Sequence, residues 1–253
     1  MGVVFRARRK TDEEDVALKI LRDELAGNEL YRRRFEREAR IASELVHEHV
    51  VPVVDFGEAS GRLYLAARYV RGVSLSERID SQGVLSVAEA LRLASDLAGA
   101  LDALHARGLV HRDVKPANVM IDERGAAALT DFGLARGLAD TVLTEPGVVV
   151  GTVDYLAPEL IQGQRADGAS DVYALGCLLY ESLAGASPFA GRPFVQTLVA
   201  HVRDQPRDLH QLRDDVPDSV SWAVLKALAK DPAQRPPTAT AYARLLRASA
   251  QTG

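Results

Sequence analysis

The most chemically distinctive stretch of the chain is HRDVKPANVM, residues 111–120. Asp113, Lys115 and Asn118 bring a carboxylate, a cation and an amide close together in one loop. A second carboxylate, Asp131, follows the run AALT. Carboxylate and amide oxygens suit Mg²⁺, whereas zinc prefers Cys and His ligands, which do not cluster here. The spacing therefore predicts a magnesium site.

A lysine and a glutamate in the first quarter of the chain could add to this chemistry. Lys19 lies in VALKI between apolar residues, although a strand lysine is usually a solvated surface charge. Helical spacing places Glu38 on the same face as Phe35 and Ala39. An inward carboxylate needs a cation or a metal, because a buried unpaired charge is very costly. Lys19 is the nearby candidate partner; the alternative is a glutamate at the edge of the stripe that reaches solvent.

The elements that must position these residues change in type along the chain. GVVFRAR and DVALKIL predict two strands, and NELYRRRFEREARIASEL predicts an amphipathic helix. HVVPVVDFGEASGRLYLAARYV predicts two further strands, interrupted between Gly57 and Gly61. We therefore expect a small strand-rich lobe over residues 1–70.

Helices dominate the sequence after Gly72. Ser86 and Glu89 form a capping-box pattern at the start of one helix, and Ser170 is a candidate N-cap of another. The pattern predicts an α+β protein in which a larger, mostly helical lobe covers residues 71–253. The cleft between two such lobes is the expected place for a ligand.

Composition narrows the functional classes. The net charge of −4 and the pI of about 5.9 give no indication of a nucleic-acid partner or of binding to an anionic membrane surface. Cys177 is the single cysteine and lies in an apolar run, so we expect a buried thiol and a reducing compartment. No apolar run reaches the length of a membrane span and no signal peptide opens the sequence, so the expected location is cytoplasmic.

Taken in order, VALK, the helix glutamate, HRDxKPxN, DFG and APE resemble the signature set of protein kinases. From Gly2 to about Ala248 the sequence resembles the catalytic domain of bacterial eukaryotic-like (Hanks-type) serine/threonine kinases. The lysine in HRDVKPAN is typical of the serine/threonine branch. The resemblance implies the bilobal protein-kinase fold, ATP with Mg²⁺ or Mn²⁺ as cofactors, and transfer of the γ-phosphate to Ser or Thr of protein substrates.

The resemblance also implies catalytic roles. Lys19 would hold the α- and β-phosphates of ATP, oriented by an ion pair with Glu38. Asp113 would accept the proton of the substrate hydroxyl, and Lys115 would stabilise the transferring phosphoryl group. Asn118 and Asp131 would hold the metal. Ala67 would be a small gatekeeper beside the adenine. The residues implied for the nucleotide site are Gly2, Val4, Ala17, Lys19, Ala67, Tyr69, Val70 and Met120.

A further set is implied for regulation and for structure. Arg112, directly before Asp113, is typical of kinases whose activation segment is ordered by a phosphate. Thr144 is expected to be the main autophosphorylation site, made in trans within a homodimer, with Thr141 as the second candidate. Thr152 would contact the catalytic loop. The residues implied to be structural are Glu159 paired with Arg235, and Asp171 bonded to the backbone around His111 and Arg112.

The opening stretch MGVVFRA departs from the family pattern. Gly2 would be the last glycine of a G-x-G-x-x-G-x-V loop, so the first strand and the other two glycines are expected upstream of Met1. If the chain functions without them, we expect weakened ATP binding. A catalytically weak, pseudokinase-like scaffold is therefore the alternative to an active kinase. A small-molecule phosphotransferase is disfavoured by GTVDYLAPE and QRP, which resemble a peptide-substrate platform and its anchor.

Overall fold

The computed structural model describes residues 2–21, 29–131 and 153–252. The first part of the chain forms one sheet with a helix beside it. Its elements are β1 (Val3–Arg8), β2 (Asp15–Ile20), α1 (Glu29–Ser43), β3 (Val53–Ala59) and β4 (Arg62–Arg68). The sheet is antiparallel in the order β1-β2-β4-β3. The predicted strand-rich lobe is confirmed.

The register of the sheet brings the nucleotide-site candidates side by side. Val4 lies opposite Lys19 across β1 and β2, and Ala17 lies opposite Ala67 across β2 and β4. The break between β3 and β4 is the turn at Ser60 and Gly61, both with positive φ. The predicted interruption was drawn too wide, because Gly57 is still inside β3.

Helix α1 packs against β3 through the predicted apolar stripe. Tyr31, Phe35, Ala39 and Ala42 are buried, and they recur at the spacing of one helical face. Glu38 is half-buried at the margin of that stripe. The helix therefore carries Glu38 towards the rest of the molecule rather than into open solvent.

The second part of the chain is mainly helical around a small antiparallel sheet in the order β5-β6-β7. Its elements are β5 (Gly72–Ser74), α2 (Leu75–Gln82), α3 (Val87–His105), β6 (Val119–Asp122), β7 (Ala127–Leu129), α4 (Pro158–Ile161), α5 (Gly168–Ala184), α6 (Phe194–Arg203), α7 (Asp218–Ala227) and α8 (Ala239–Ala250). Helices α3, α5, α7 and α8 pack together, and Cys177 of α5 is fully buried, as predicted. None of the helices in the described ranges is long and apolar enough to cross a membrane.

Capping residues fix the ends of the helices that support the site. The predicted capping box of Ser86 and Glu89 begins α3. Helix α5 begins earlier than predicted, because the N-cap is Asp167, whose carboxylate accepts from the amide of Ser170. The Ser170 hydroxyl donates to Glu159 instead, so this serine joins a buried polar cluster rather than acting as the cap.

Candidate active site

The loop between α3 and β6 gathers the chemistry-bearing residues predicted from HRDVKPANVM. Lys115 Nζ lies 2.9 Å from Asp113 Oδ2. The Asn118 amide donates to both the side chain and the backbone carbonyl of Asp113, at 2.9 and 2.8 Å. All three side chains are largely shielded from solvent. The Asp113 carboxylate is therefore held in one orientation by a cation and an amide.

Asp171 of α5 anchors this loop from below. Its buried carboxylate accepts from the backbone amides of His111 and Arg112, at 2.8 and 2.9 Å, as predicted. It also lies 2.8 Å from Nε2 of His105, a contact that the sequence analysis did not anticipate. Arg112 has a positive φ of 63°, a strained conformation for a non-glycine residue. The bonds to Asp171 hold the backbone in that conformation next to Asp113.

His111 adds a neutral, buried support. Burial lowers the pKa of His111, which favours the uncharged ring. The Asp113 amide donates to Nδ1 of His111, so Nε2 is the ring nitrogen that can donate to the Thr130 carbonyl, 3.1 Å away. One imidazole thus links the loop of Asp113 to the residue before Asp131.

A cavity of about 200 Å³ lies between the two parts of the chain. Seven of the eight residues predicted for the nucleotide site line it: Val4, Ala17, Lys19, Ala67, Tyr69, Val70 and Met120. The sequence analysis missed further lining residues, namely Val51, Val53, Leu65, Ala117 and Thr130. They are ordinary apolar or small residues in sequence, and only the strand register and the loop positions bring them to the cavity.

Gly2 is the predicted nucleotide-site residue that does not line this cavity. A Cβ at Gly2 would stand 1.8 Å from the Ile20 carbonyl oxygen, so a side chain cannot be accommodated without a shift of the backbone. Within the described residues, the requirement for glycine here is the close approach of the chain to the end of β2.

The predicted ion pair between Lys19 and Glu38 is not the one the structure forms. Lys19 Nζ lies 3.0 Å from Asp131 Oδ1. Glu38 instead accepts from Nε of Arg34 at 3.0 Å and from Nη1 of Arg112 at 3.3 Å. The expectation that this inward carboxylate needs a cation was right, but the cation comes from α1 itself and from the catalytic loop.

The donor set at the cavity mouth fits a magnesium ion. Asp131 supplies a carboxylate, and Asn118 uses its amide nitrogen towards Asp113, which leaves its carbonyl oxygen as a ligand. Oxygen donors of this type suit a hard divalent cation, and Mg²⁺ is commonly held by one or two carboxylates together with substrate phosphates. Asp131 has a positive φ of 57°, so strained backbone marks this residue as it marks Arg112.

The predicted structural pair is formed in full. Arg235 donates to both carboxylate oxygens of Glu159 at 2.8 Å, and both side chains are almost completely buried. Burial by itself would raise the pKa of Glu159, but the hydrogen bonds and charge of Arg235 lower it overall. The pair ties α4 to the turn before α8.

Three predicted regulatory residues, Thr141, Thr144 and Thr152, lie outside the described residues. Arg112, predicted to meet a phosphate on that segment, is described and is engaged with Glu38.

The small side chain at position 67 gives a direct test of the cavity. Ala67 and Ala17 face each other across β2 and β4 and both line the cavity. We expect ATP analogues with a bulky group on the adenine to inhibit the wild type, and Ala67→Met to weaken that inhibition about tenfold, since overpacking typically costs 1–3 kcal/mol. Inhibition constants measure this, with exposed Ala59→Met as the control. Equal inhibition of the wild type and Ala67→Met would contradict the placement.

The comparisons with known proteins agree with this site. A family model described as "Protein kinase domain" matches residues 1–245. The serine/threonine-protein kinase PknB of Mycolicibacterium smegmatis is 42% identical over 94% of this chain and 39% of its own length. PknD of Mycobacterium tuberculosis is 38% identical over 93% of this chain and 36% of its own length. The chain thus spans less than half the length of these curated relatives.

Solved structures show the same architecture. The kinase domain of PknI from M. tuberculosis superposes with a TM-score of 0.80 at 33% identity, over 98% of this chain and 91% of that one. Rad53 in complex with AMP-PNP gives a TM-score of 0.81 at 24% identity, over 97% of this chain and 62% of that one, a likeness of fold alone. Together with the family match over residues 1–245, these results show that the chain belongs to the protein kinase domain family, as a Hanks-type domain similar to bacterial serine/threonine-protein kinases.

Proposed function

We propose that this chain is an ATP-dependent protein serine/threonine kinase domain, with its small lobe over residues 1–70 and its large lobe over residues 71–253. One observation carries the proposal. Asp113 is held by Lys115 and Asn118, and the neighbouring cavity contains Lys19 and Asp131. A base, a cation for the transferring group and a phosphate-and-metal site are thus adjacent.

Proton transfer is assigned to Asp113. Its carboxylate accepts the proton of a substrate Ser or Thr hydroxyl and aims the oxygen at the γ-phosphate. Lys115, 2.9 Å from that carboxylate, then faces the negative charge on the transferring phosphoryl group. The amide of Asn118 keeps Asp113 oriented throughout, since it donates to the side chain and the backbone carbonyl of the same residue.

Nucleotide binding is assigned to the cavity above this loop. Val4, Ala17 and Val70 offer an apolar surface to the adenine, and Lys19 supplies a cation for the phosphates. Asp131 and Asn118 would hold Mg²⁺, which neutralises phosphate charge during transfer. Since Lys19 is paired with Asp131 here, the lysine must exchange this partner for phosphate oxygens when ATP binds.

The relatives support the same class of reaction. PknB and PknD are both described as serine/threonine-protein kinases. Lys19, Glu38, Asp113, Asn118 and Asp131 are all present here, which favours catalysis over a pseudokinase-like scaffold. Protein substrates follow from this class, whereas a homodimer and a cytoplasmic location stay predictions.

Incubation with labelled ATP, Mg²⁺ and a generic acceptor protein tests the proposal, with phosphoamino-acid analysis of the product. We expect label on Ser and Thr of the acceptor and loss of label when the metal is chelated. Binding of ATP without any transfer would favour the scaffold. Label on a small molecule and none on protein would favour a small-molecule phosphotransferase.

Autophosphorylation of the activation segment gives a second prediction. Thr144→Ala is expected to lower the specific activity of the chain about tenfold, because one phosphate can form one to three charge-assisted hydrogen bonds. Phosphopeptide mapping after incubation with ATP should locate the main site at Thr144, and Thr141→Ala is the matched control. A phosphorylation rate per molecule that rises with protein concentration is expected for a reaction in trans. Unchanged activity of Thr144→Ala would contradict the assignment.

A further inference from the structure

Two arginines from different elements converge on one carboxylate. Arg34 lies on α1, one turn before Glu38, and its Nε is 3.0 Å from Oε1. Arg112 comes from the catalytic loop, and its Nη1 lies 3.3 and 3.5 Å from the two oxygens of Glu38. The side chains of Glu38 and Arg112 are each 15% exposed, and that of Arg34 is 30% exposed. The cluster is a cationic site with an anion already seated in it.

This cluster differs from the ordinary ion pairs on the same helix. Arg33 and Glu29 also stand four residues apart on α1, at 2.9 Å, but their side chains are 76% and 62% exposed. Such surface pairs contribute little to stability. The Arg34 cluster is more shielded and crosses from α1 to the catalytic loop, so it can couple the position of the helix to the site.

We infer that Arg34 and Arg112 together form a binding site for a phosphate monoester dianion, in which the carboxylate of Glu38 is the resident competitor. The inference rests on the proposed function and extends it. It assigns Arg34, which no sequence motif singled out, to regulation. The ligand class is a phosphothreonine, whose chemistry is shared by free inorganic phosphate.

Charge balance favours the exchange. Two guanidinium groups carry two positive charges, and Glu38 supplies one negative charge through two oxygens. A phosphothreonine carries about −1.5 to −2 at pH 7 and offers three acceptor oxygens. Guanidinium groups bind such oxygens in bidentate geometry. A phosphate therefore satisfies both arginines better than the carboxylate does.

The exchange has a defined consequence for catalysis. Glu38, once displaced, needs another cation, because it is partly buried. Lys19 is the cation that the kinase signature pairs with this glutamate. When Lys19 turns to Glu38, Asp131 loses its present partner and is released for the metal. The cluster is thus a latch that keeps Lys19 and Glu38 apart until a phosphate replaces the glutamate.

The test compares the wild type with Arg34→Gln and uses Arg33→Gln as the matched control. Each chain is made with phosphothreonine incorporated directly at position 144, so its preparation does not depend on kinase activity. The phosphorus NMR titration of that group is recorded. We expect a midpoint below the ordinary value of about 6 in the wild type and in Arg33→Gln, and a return towards 6 in Arg34→Gln. The same midpoint in Arg34→Gln and the wild type would overturn the inference.

A second arm tests the latch and the source of the phosphate. ATP affinity is measured for the unphosphorylated chains by nucleotide titration. Arg34→Gln is expected to bind ATP about threefold to tenfold more tightly than the wild type, since one cation of the latch is gone. Inorganic phosphate is then titrated into the unphosphorylated wild type. An equal gain from free phosphate would assign the site to that source. Unchanged ATP affinity in Arg34→Gln would rule out the latch.

The two proposals can fail separately. If no phosphoryl transfer is detected, the proposed function fails, yet the phosphorus titration and the ATP affinities still report on Arg34 and Arg112. If transfer is normal and Arg34→Gln behaves like Arg33→Gln in both arms, the kinase assignment stands and the latch does not.

Discussion

Asp113→Asn is expected to lower kcat for phosphorylation of a protein acceptor by about 10²–10⁴-fold, the contribution typical of a positioned base. The change keeps the shape of the side chain and removes its charge. It leaves Lys115 without the carboxylate that lies 2.9 Å away. ATP binding should be retained, because Asp113 does not line the cavity that holds Lys19. Steady-state kinetics and nucleotide titration measure the two effects separately.

Asp80→Asn is the matched control for this experiment. Asp80 is exposed on α2, away from the catalytic loop, and the same chemical change there should leave kcat unaltered. A loss of less than tenfold in Asp113→Asn would show that another group accepts the proton. Loss of ATP binding in Asp113→Asn would instead indicate a disturbed fold.

Arg235→Ala is expected to destabilise the chain by about 3–5 kcal/mol, because it leaves the charge of Glu159 buried without its cation. The arginine also donates to the backbone carbonyls of Ala229 and Ala169, at 2.8 and 2.9 Å, and those acceptors lose their donor too. Chemical denaturation followed by circular dichroism measures the free energy of unfolding. A further Glu159→Gln change should recover part of the loss, since it removes the uncompensated charge.

Arg33→Ala serves as the control for stability, because it breaks an ion pair whose two side chains are mostly exposed. Its unfolding free energy should match that of the wild type within error. A similar result for Arg235→Ala would show that the buried pair is dispensable.

The pH dependence of stability should change sign at this pair. In the wild type the pKa of Glu159 is lowered, so the stabilisation is present above the unfolded carboxyl pKa of about 4.3 and is lost as pH falls through the folded value. In Arg235→Ala burial is expected to raise that pKa above the unfolded value. Stability would then be lost as pH rises through the raised value.

Much of the fold was predictable because local patterns and tertiary packing agree. The apolar stripe of Phe35 and Ala39 predicted α1, and the capping box of Ser86 and Glu89 predicted the start of α3. The start of α5 was wrong because Asp167 and Ser170 are both good caps. The buried carboxylate of Glu159, which accepts from the Ser170 hydroxyl, removes that serine from the competition.

Motifs in the sequence determined which residues make up the site, because phosphoryl transfer requires a base, a cation and oxygen ligands at fixed spacings. Asp113, Lys115 and Asn118 lie within one loop, so their contact was decided locally. Which cation meets Glu38 was decided only by the tertiary structure. Lys19 and Arg112 are both cations, and attraction between charges selects no partner by residue type. The placement of α1 against the catalytic loop gives the glutamate to Arg34 and Arg112 and leaves Lys19 with Asp131.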